Sequence, residues 1–163
     1  MIVLGIDPGI AICGVVGVKD IKGKQTLIFS KEITTPSHTS SSSRLVTIYN
    51  ELTGILKEVH PDAVAIEKLF FNTNTKTALI VGEARGVIEL AVCQHGTHIF
   101  EYTPLEVKMS LTGYGRADKN QIQQMIKSIL KLPAILKPDD VADAAAIALT
   151  HCFSYKMKQS TKK

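Results

Sequence analysis

Four acids stand where a folded chain seldom places them without a reason. Asp7 closes the apolar run Ile2 to Ile6 and precedes Pro8-Gly9, and Glu67 closes a second apolar run, Ala63 to Ile66. Asp140 and Asp143 lie three residues apart at the start of an alanine-rich stretch, so on a helix they share a face. If the strands ending in Asp7 and Glu67 are neighbours, both acids sit at carboxyl ends on one edge. A helix laid across that edge then brings Asp140 and Asp143 to them. Four carboxylates in one pocket repel one another, and desolvation makes the repulsion worse. A divalent cation removes the difficulty. All-oxygen ligands without His or Cys point to Mg²⁺ or Mn²⁺ rather than zinc. Two such ions ~4 Å apart can activate a water and stabilise the leaving oxygen of a phosphodiester.

Each acid also has an ordinary explanation. Asp7 before Pro-Gly could shape a turn, Glu67 could be an exposed strand end, and Asp139 or Asp140 could cap a helix. Those explanations must all hold at once to account for two strand-terminal acids and a spaced pair on one helix, so the metal site is favoured. Spacing does not choose between Asp139 and Asp140, because Asp139 also reaches Asp143, at i+4.

The elements that must position these acids follow from the hydrophobic pattern. Ile2 to Asp7, Ile12 to Val18 and Thr26 to Ile33 read as strands, with Lys22-Gly23-Lys24 as a turn. Such short links predict an antiparallel meander. The Ser/Thr-rich segment Pro36 to Ser43 reads as an exposed loop leading to a helix with a Ser near its N-cap. Leu45, Ile48, Leu52, Ile55, Leu56 and Val59 keep helical spacing until Pro61-Asp62. Ala63 to Glu67 is a buried strand, Thr75 to Gln94 a long helix, and Thr97 to Tyr102 a strand. Short helices are expected from Pro104 to Met109 and from about Asp118 to Leu130. The last helix starts at Asp139 or Asp140 and runs to about Cys152. Three strands followed by alternating helices and strands predict an α/β fold, a mixed sheet with helices on both faces.

The chain has 163 residues, enough for one domain with a sizeable core. Its 45 % hydrophobic and 21 % charged residues are ordinary for a globular protein, which excludes the disordered class. No apolar run approaches the ~20 residues of a membrane span. The first residues lack a basic leader, which argues against a signal peptide. Cys13, Cys93 and Cys152 show no CxxC spacing and sit in apolar stretches, as expected of reduced core thiols in a cytoplasmic protein. The net charge of +4 comes from Lys156, Lys158, Lys162 and Lys163; without them the chain holds 15 basic and 15 acidic residues. We read residues 1–153 as the folded domain and residues 154–163 as a basic flexible tail suited to phosphate contact.

The motifs form a series. Gly5-Ile6-Asp7-Pro8-Gly9 is followed by Ala65-Ile66-Glu67-Lys68-Leu69-Phe70-Phe71 and Gly82-Glu83-Ala84-Arg85-Gly86. Pro104 with Val107-Lys108 comes next, then Gly113-Tyr114-Gly115-Arg116-Ala117-Asp118-Lys119 and Asp140-Val141-Ala142-Asp143-Ala144-Ala145-Ala146-Ile147-Ala148. In this order and spacing the series closely resembles the RuvC family of Holliday junction resolvases, from about residue 2 to about residue 152. The resemblance implies a ribonuclease H-like fold, a mixed five-stranded sheet flanked by helices. It implies a homodimeric, Mg²⁺-dependent endonuclease, Mn²⁺ being able to substitute, that cuts two opposed strands of a four-way DNA junction in recombination and repair. It also implies a link to a branch-migration complex. The family's four metal-binding acids fall on Asp7, Glu67, Asp140 and Asp143, which selects Asp140 over Asp139.

Other positions carry expectations of their own. Lys108 and Lys119 match basic positions resembling the family's phosphate-contacting lysines; without that likeness each reads as a solvated surface lysine. Arg85 could contact a phosphate or make a structural ion pair. Of Phe70 and Phe71, the resemblance favours Phe70 as the aromatic that stacks on an unpaired base. Glu83 departs from the family, whose members often have Gln there, and adds an acid near DNA. Gly82 and Gly86, four apart on the long helix, imply close packing on the sheet or against a second subunit. His151, two turns beyond Asp143, could approach the site, but a helix-end or surface place is expected for it.

Three further readings compete. An actin-like ATP-binding protein would use the Gly5-Ile6-Asp7-Pro8-Gly9 turn as a phosphate loop, but it needs a second such motif and a longer chain. A non-catalytic junction-binding module would bind DNA without cleaving it. A nuclease acting on structured RNA would share the fold and chemistry.

Overall fold

In the computed structural model, residues 1–68 and 75–160 are described. Five strands and five helices follow one another as β1 (Ile2–Asp7), β2 (Ile12–Ile21), β3 (Lys24–Thr34), α1 (Ser41–Val59), β4 (Ala63–Glu67), α2 (Thr75–His95), β5 (His98–Tyr102), α3 (Pro104–Thr112), α4 (Lys119–Leu130) and α5 (Asp139–Ser160). The sheet has the order β3-β2-β1-β4-β5. β1, β2 and β3 form the expected antiparallel meander, while β4 runs parallel to β1 and β5 parallel to β4.

Local chemistry fixes the ends of these elements. Lys22 and Gly23 both take positive φ, 50° and 92°, which gives the tight β2–β3 turn the twist a hairpin needs. The Asp20 carboxylate accepts the Gly23 amide at 3.0 Å. Ser40 caps α1 by accepting from the Ser43 amide. Thr103 with Glu106, and Asp118 with Gln121, form reciprocal capping boxes at the starts of α3 and α4. Expected and observed limits differ most in three places. β2 runs on past Val18 to Ile21, and β3 begins before Thr26, at Lys24, because their pairing resumes past an irregularity at Gly17/Val18. The α5 helix runs on to Ser160 rather than ending near Cys152, so residues 154–160 are helical.

The core divides into two clusters across the sheet. Leu4, Ile6, Val15, Val64 and Ile66 pack with α1 and α2, through Ile48, Leu52, Leu56, Ile88 and Val92. Val3, Val16, Val18 and Ala65 pack with α3, α4 and α5. Strand side chains alternate between faces. Asp7 therefore shares the face of Val3 and Gly5, and Glu67 that of Ala65, which is the face covered by α5.

Candidate active site

The parallel pairing of β1 and β4 aligns Ile6 with Ile66, so Asp7 and Glu67 leave neighbouring strands at the same edge and on the same face. The approach of α5 to that edge depends on missing side chains. A Cβ on Gly5 would lie 2.1 Å from the Ala144 carbonyl oxygen and 2.8 Å from the Ala148 Cβ. One on Gly14 would lie 2.0 Å from the Asp140 carbonyl oxygen. With glycine at both positions and Ala144, Ala145 and Ala148 on the helix, the first two turns of α5 lie directly on β1 and β2.

The four predicted acids meet electrostatically at this place. Burial first, then the charges of Asp143, Glu67 and Asp140, push the Asp7 carboxyl from 3.8 to about 7, with Lys119 opposing. Burial and then Asp143 raise Glu67, while Arg85 opposes. Burial also raises Asp143, against the pull of Lys119. Lys119 Nζ bridges Asp143 at 3.2 Å and Asp139 at 3.3 Å. Desolvation works against the Lys119 charge, but the bonds to Asp143 and Asp139 together raise its affinity for the proton. An open cleft over the site is lined by Asp7, Glu67, Lys108, Lys119 and Asp143, with Pro104, Val107, Ile122, Ala146 and Ile147 as its apolar wall.

Spacing left Asp139 and Asp140 equivalent, and their surroundings separate them. Asp139 accepts from Gln123 at 3.1 Å and from Lys137 at 3.3 Å. Bonds from Lys137, Lys119 and Gln123 hold its carboxyl below the usual range. Asp140, not Asp139, is among the charges that raise Asp7. Among the described residues, no three Asp, Glu, His or Cys side chains close on one point as a finished cage; Lys119 supplies the positive charge that partly relieves the acids. The donor set nevertheless fits a hard divalent cation, because crowded carboxylates that must otherwise hold a proton near neutral pH gain most from one.

The remaining expectations fall in different places. Lys108 and Lys119 both line the cleft. Arg85 makes the structural ion pairs that one of its two readings expected. It is only 8 % exposed, and its guanidinium is shared between Glu89, Glu101 and the Glu67 carbonyl. Phe70 and Phe71 lie outside the described residues. Glu83 accepts from the Ser41 hydroxyl at 3.3 Å, in the first turn of α1, which carries no acid of its own. His151 is neither at a helix end nor on the surface: it is 1 % exposed, 2.8 Å from the Tyr102 hydroxyl and beside the Phe100 ring. Cys13 and Cys152 are buried as expected, whereas Cys93 is exposed on α2. Sequence reasoning missed the apolar wall. Its signal was present in the spacing of Pro104, Val107 and Lys108, and of Asp143, Ala146 and Ile147, each set at i, i+3 and i+4.

A mixed five-stranded sheet with helices on both faces and acids at the ends of its first and fourth strands defines a ribonuclease H-like α/β protein. Comparison with known proteins narrows this class. The family model described as "Crossover junction endodeoxyribonuclease RuvC" matches residues 3–151. A curated relative of that name from Alkaliphilus oremlandii is 57 % identical over 93 % of this chain and 92 % of its own. Among solved structures, Thermus thermophilus RuvC superposes with a TM-score of 0.91 at 35 % identity, covering 97 % of both chains. The structure titled "T. thermophilus RuvC in complex with Holliday junction substrate" gives 0.93 at 34 % identity, covering 97 % of this chain and 96 % of that one. The chain belongs to the RuvC family of crossover junction endodeoxyribonucleases. Among the described residues no helix is long and apolar enough to cross a membrane.

Proposed function

We propose that this chain resolves Holliday junctions, hydrolysing phosphodiester bonds in two opposed strands of four-way DNA with the help of Mg²⁺, for which Mn²⁺ can substitute. The observation that carries this reading is the convergence of Asp7, Glu67, Asp140 and Asp143, where burial and then the neighbouring charges raise the Asp7 carboxyl to about 7, in a member of a family with a structure titled as a junction complex. Asp7, Glu67, Asp140 and Asp143 would hold two ions. Bound there, divalent cations supply charge that activates water and stabilises the leaving oxygen. The chain's own residues do the rest. Lys108 and Lys119, on the cleft wall, would hold the scissile phosphate or its neighbour. Lys119 exchanges its bond to Asp143 for a phosphate oxygen when DNA enters. Pro104, Val107 and Ile122 narrow the cleft and limit water around the carboxylates. Phe70 would stack on an unpaired base, and the lysines after residue 154 would add sequence-independent backbone contact.

A symmetric pair of cuts calls for two active sites, and the outer face of α2 supports a homodimer. Leu79 is 66 % and Leu90 52 % exposed there, and nothing lies within 4 Å of a Cβ built at Gly82 or Gly86. Such an apolar, small-residue helix face suits a two-fold contact. The enzyme would work in the cytoplasm, in association with a branch-migration complex.

The test uses a synthetic four-way junction beside a linear duplex of the same sequence. Each is incubated with wild-type protein or Asp7→Asn, with and without Mg²⁺, and resolved on a denaturing gel. Paired nicks in the junction alone are expected, absent without Mg²⁺ and absent with Asp7→Asn although binding persists. Tight binding without nicks across several junction sequences would instead mark a non-catalytic junction-binding protein.

A further inference from the structure

The end of β4 is the place where Glu67 must be held still. Pairing with β1 is present as far as Ile66. On the other side the Lys68 amide donates to the Tyr102 carbonyl at 2.8 Å. The Glu67 carbonyl needs a partner of its own, since a buried backbone acceptor left unpaired is costly. That partner comes from α2, on the face of the sheet opposite α5. Arg85 directs Nη1 to the Glu67 carbonyl, Nη2 to Glu101 of β5 and Nε to Glu89 at 2.7 Å, one turn further along α2. One planar guanidinium therefore ties together α2, β4 and β5. Only arginine presents donors in a fixed fork that can serve a carbonyl and two carboxylates at once; the ammonium of lysine is a single point. The charge is nearly buried, and its two carboxylate partners offset the desolvation.

We propose that Arg85 is a positioning residue: it clamps the Glu67 backbone so that the carboxylate on the opposite face meets Asp7 and Asp143. The proposal rests on the reading of Glu67 as a cation-holding acid. It gives a buried arginine a role in the reaction without any contact with DNA. Contacts that hold a metal-ligating group in place typically change affinity or activity by 10- to 100-fold when lost.

The experiment measures Mn²⁺ binding by titration calorimetry without DNA, and the Mg²⁺ concentration giving half-maximal junction cleavage. The proteins are wild type, Arg85→Met, Arg85→Lys and, as a control, Leu52→Ala, which destabilises the core from α1. Expected are roughly 10- to 100-fold weaker Mn²⁺ binding and a matching rise in the Mg²⁺ requirement for Arg85→Met. Arg85→Lys should recover thermal stability but little of the Mn²⁺ affinity. Junction binding in EDTA should stay within about twofold of wild type, because the Arg85 guanidinium is taken up by Glu89, Glu101 and the Glu67 carbonyl. Should Arg85→Met not fold, Arg85→Lys carries the test, because its ammonium still reaches Glu101. Wild-type Mn²⁺ affinity in a folded Arg85→Lys or Arg85→Met protein overturns the assignment, as does an equal loss in Leu52→Ala. A wild-type protein that binds no Mn²⁺ overturns the carboxylate reading itself, and the Arg85 proposal with it.

Discussion

Against one face of the sheet lie Leu52 and Leu56 of α1 and Ile88 and Val92 of α2, large side chains that fill the space between layers. Against the other face, α5 presents Ala144 and Ala148 over Gly5 and the Asp140–Val141 backbone over Gly14, so the helix comes close to the strands. The first face gains its stability from volume. The second gives up volume for proximity, because the residues at the head of α5 must reach acids at the strand ends. The same fold thus separates a stabilising side from a side that sets carboxylate geometry, and mutations should separate them too.

The largest effects are expected from breaking each kind of packing in turn. Leu52→Ala should lower stability by about 2–5 kcal/mol in urea unfolding, as buried leucine truncations do. The protein that remains folded should cleave junctions at the wild-type rate. Gly5→Ala places a methyl 2.1 Å from the Ala144 carbonyl oxygen, so α5 must move. Overpacking of this kind costs about 1–3 kcal/mol. Cleavage per folded molecule should fall by roughly 10²-fold, the scale of a 1 Å misplacement of reacting groups. Equal cleavage by folded Gly5→Ala and folded Leu52→Ala would erase the distinction between the two faces.

A second contrast is stability against chemistry on the α5 face itself. The Asp7 carboxyl is raised from 3.8 to about 7 in the cation-free protein. Between those values the folded chain holds a proton that the unfolded chain has released, so stability falls as pH rises from about 4 through about 7. The full shift corresponds to at most about 4 kcal/mol, since each unit is worth about 1.4 kcal/mol. The raised carboxyls of Glu67 and Asp143 act in the same direction. Asp7→Asn should therefore abolish cleavage yet raise the melting temperature of cation-free protein at pH 8. Mg²⁺ should raise the wild-type melting temperature more than that of the variant. A cation-free Asp7→Asn protein less stable than wild type at pH 8 would show that the acids are not in conflict.

On the α2 side a smaller effect tests the outer surface. Gly86→Ala meets nothing within 4 Å in the single chain, and a helical glycine replaced by alanine gains up to about 1 kcal/mol. Unfolding of dilute monomer should show that gain. Analytical ultracentrifugation should show weaker self-association, because a methyl would stand between two α2 helices. Tighter or unchanged association would move the dimer contact elsewhere.

How much of this was legible in the sequence follows from the range of each signal. Asp7 and Glu67 could be read because each ends an apolar run, and Asp140 and Asp143 because helical spacing is local. The order of strands and helices suits a mixed sheet, but the parallel pairing of β1 and β4, on which the site depends, joins residues far apart in the chain and appears only in the fold. Gly14 gave no signal, since its role appears only when the Asp140 carbonyl lies over it. Arg85 was ambiguous because Glu101 is 16 residues away and the Glu67 carbonyl 18. His151 was misjudged because its partners, Tyr102 and Phe100, belong to β5. Local pattern places an acid at the end of an element, whereas long-range contact decides what a buried polar side chain serves.

The smallest expected effect comes from Asp139, and its smallness is informative. Asp139 and Asp140 are adjacent acids in the first turn of α5, and each can face Asp143 by helical spacing. Asp139 is taken up by Lys119, Lys137 and Gln123, exposed contacts of a kind that contributes little. Asp140 adds to the charge felt by Asp7. Asp139→Asn should therefore leave the melting temperature unchanged and junction cleavage within about threefold of wild type, as expected for solvated ion pairs. Asp140→Asn should lose more than the roughly 100-fold typical of a supporting contact. Side-by-side cleavage rates at saturating Mg²⁺ decide the matter. If Asp139→Asn proves as damaging as Asp140→Asn, Lys119 requires Asp139 to hold it over the cleft, and the acid that borders the site belongs to its machinery.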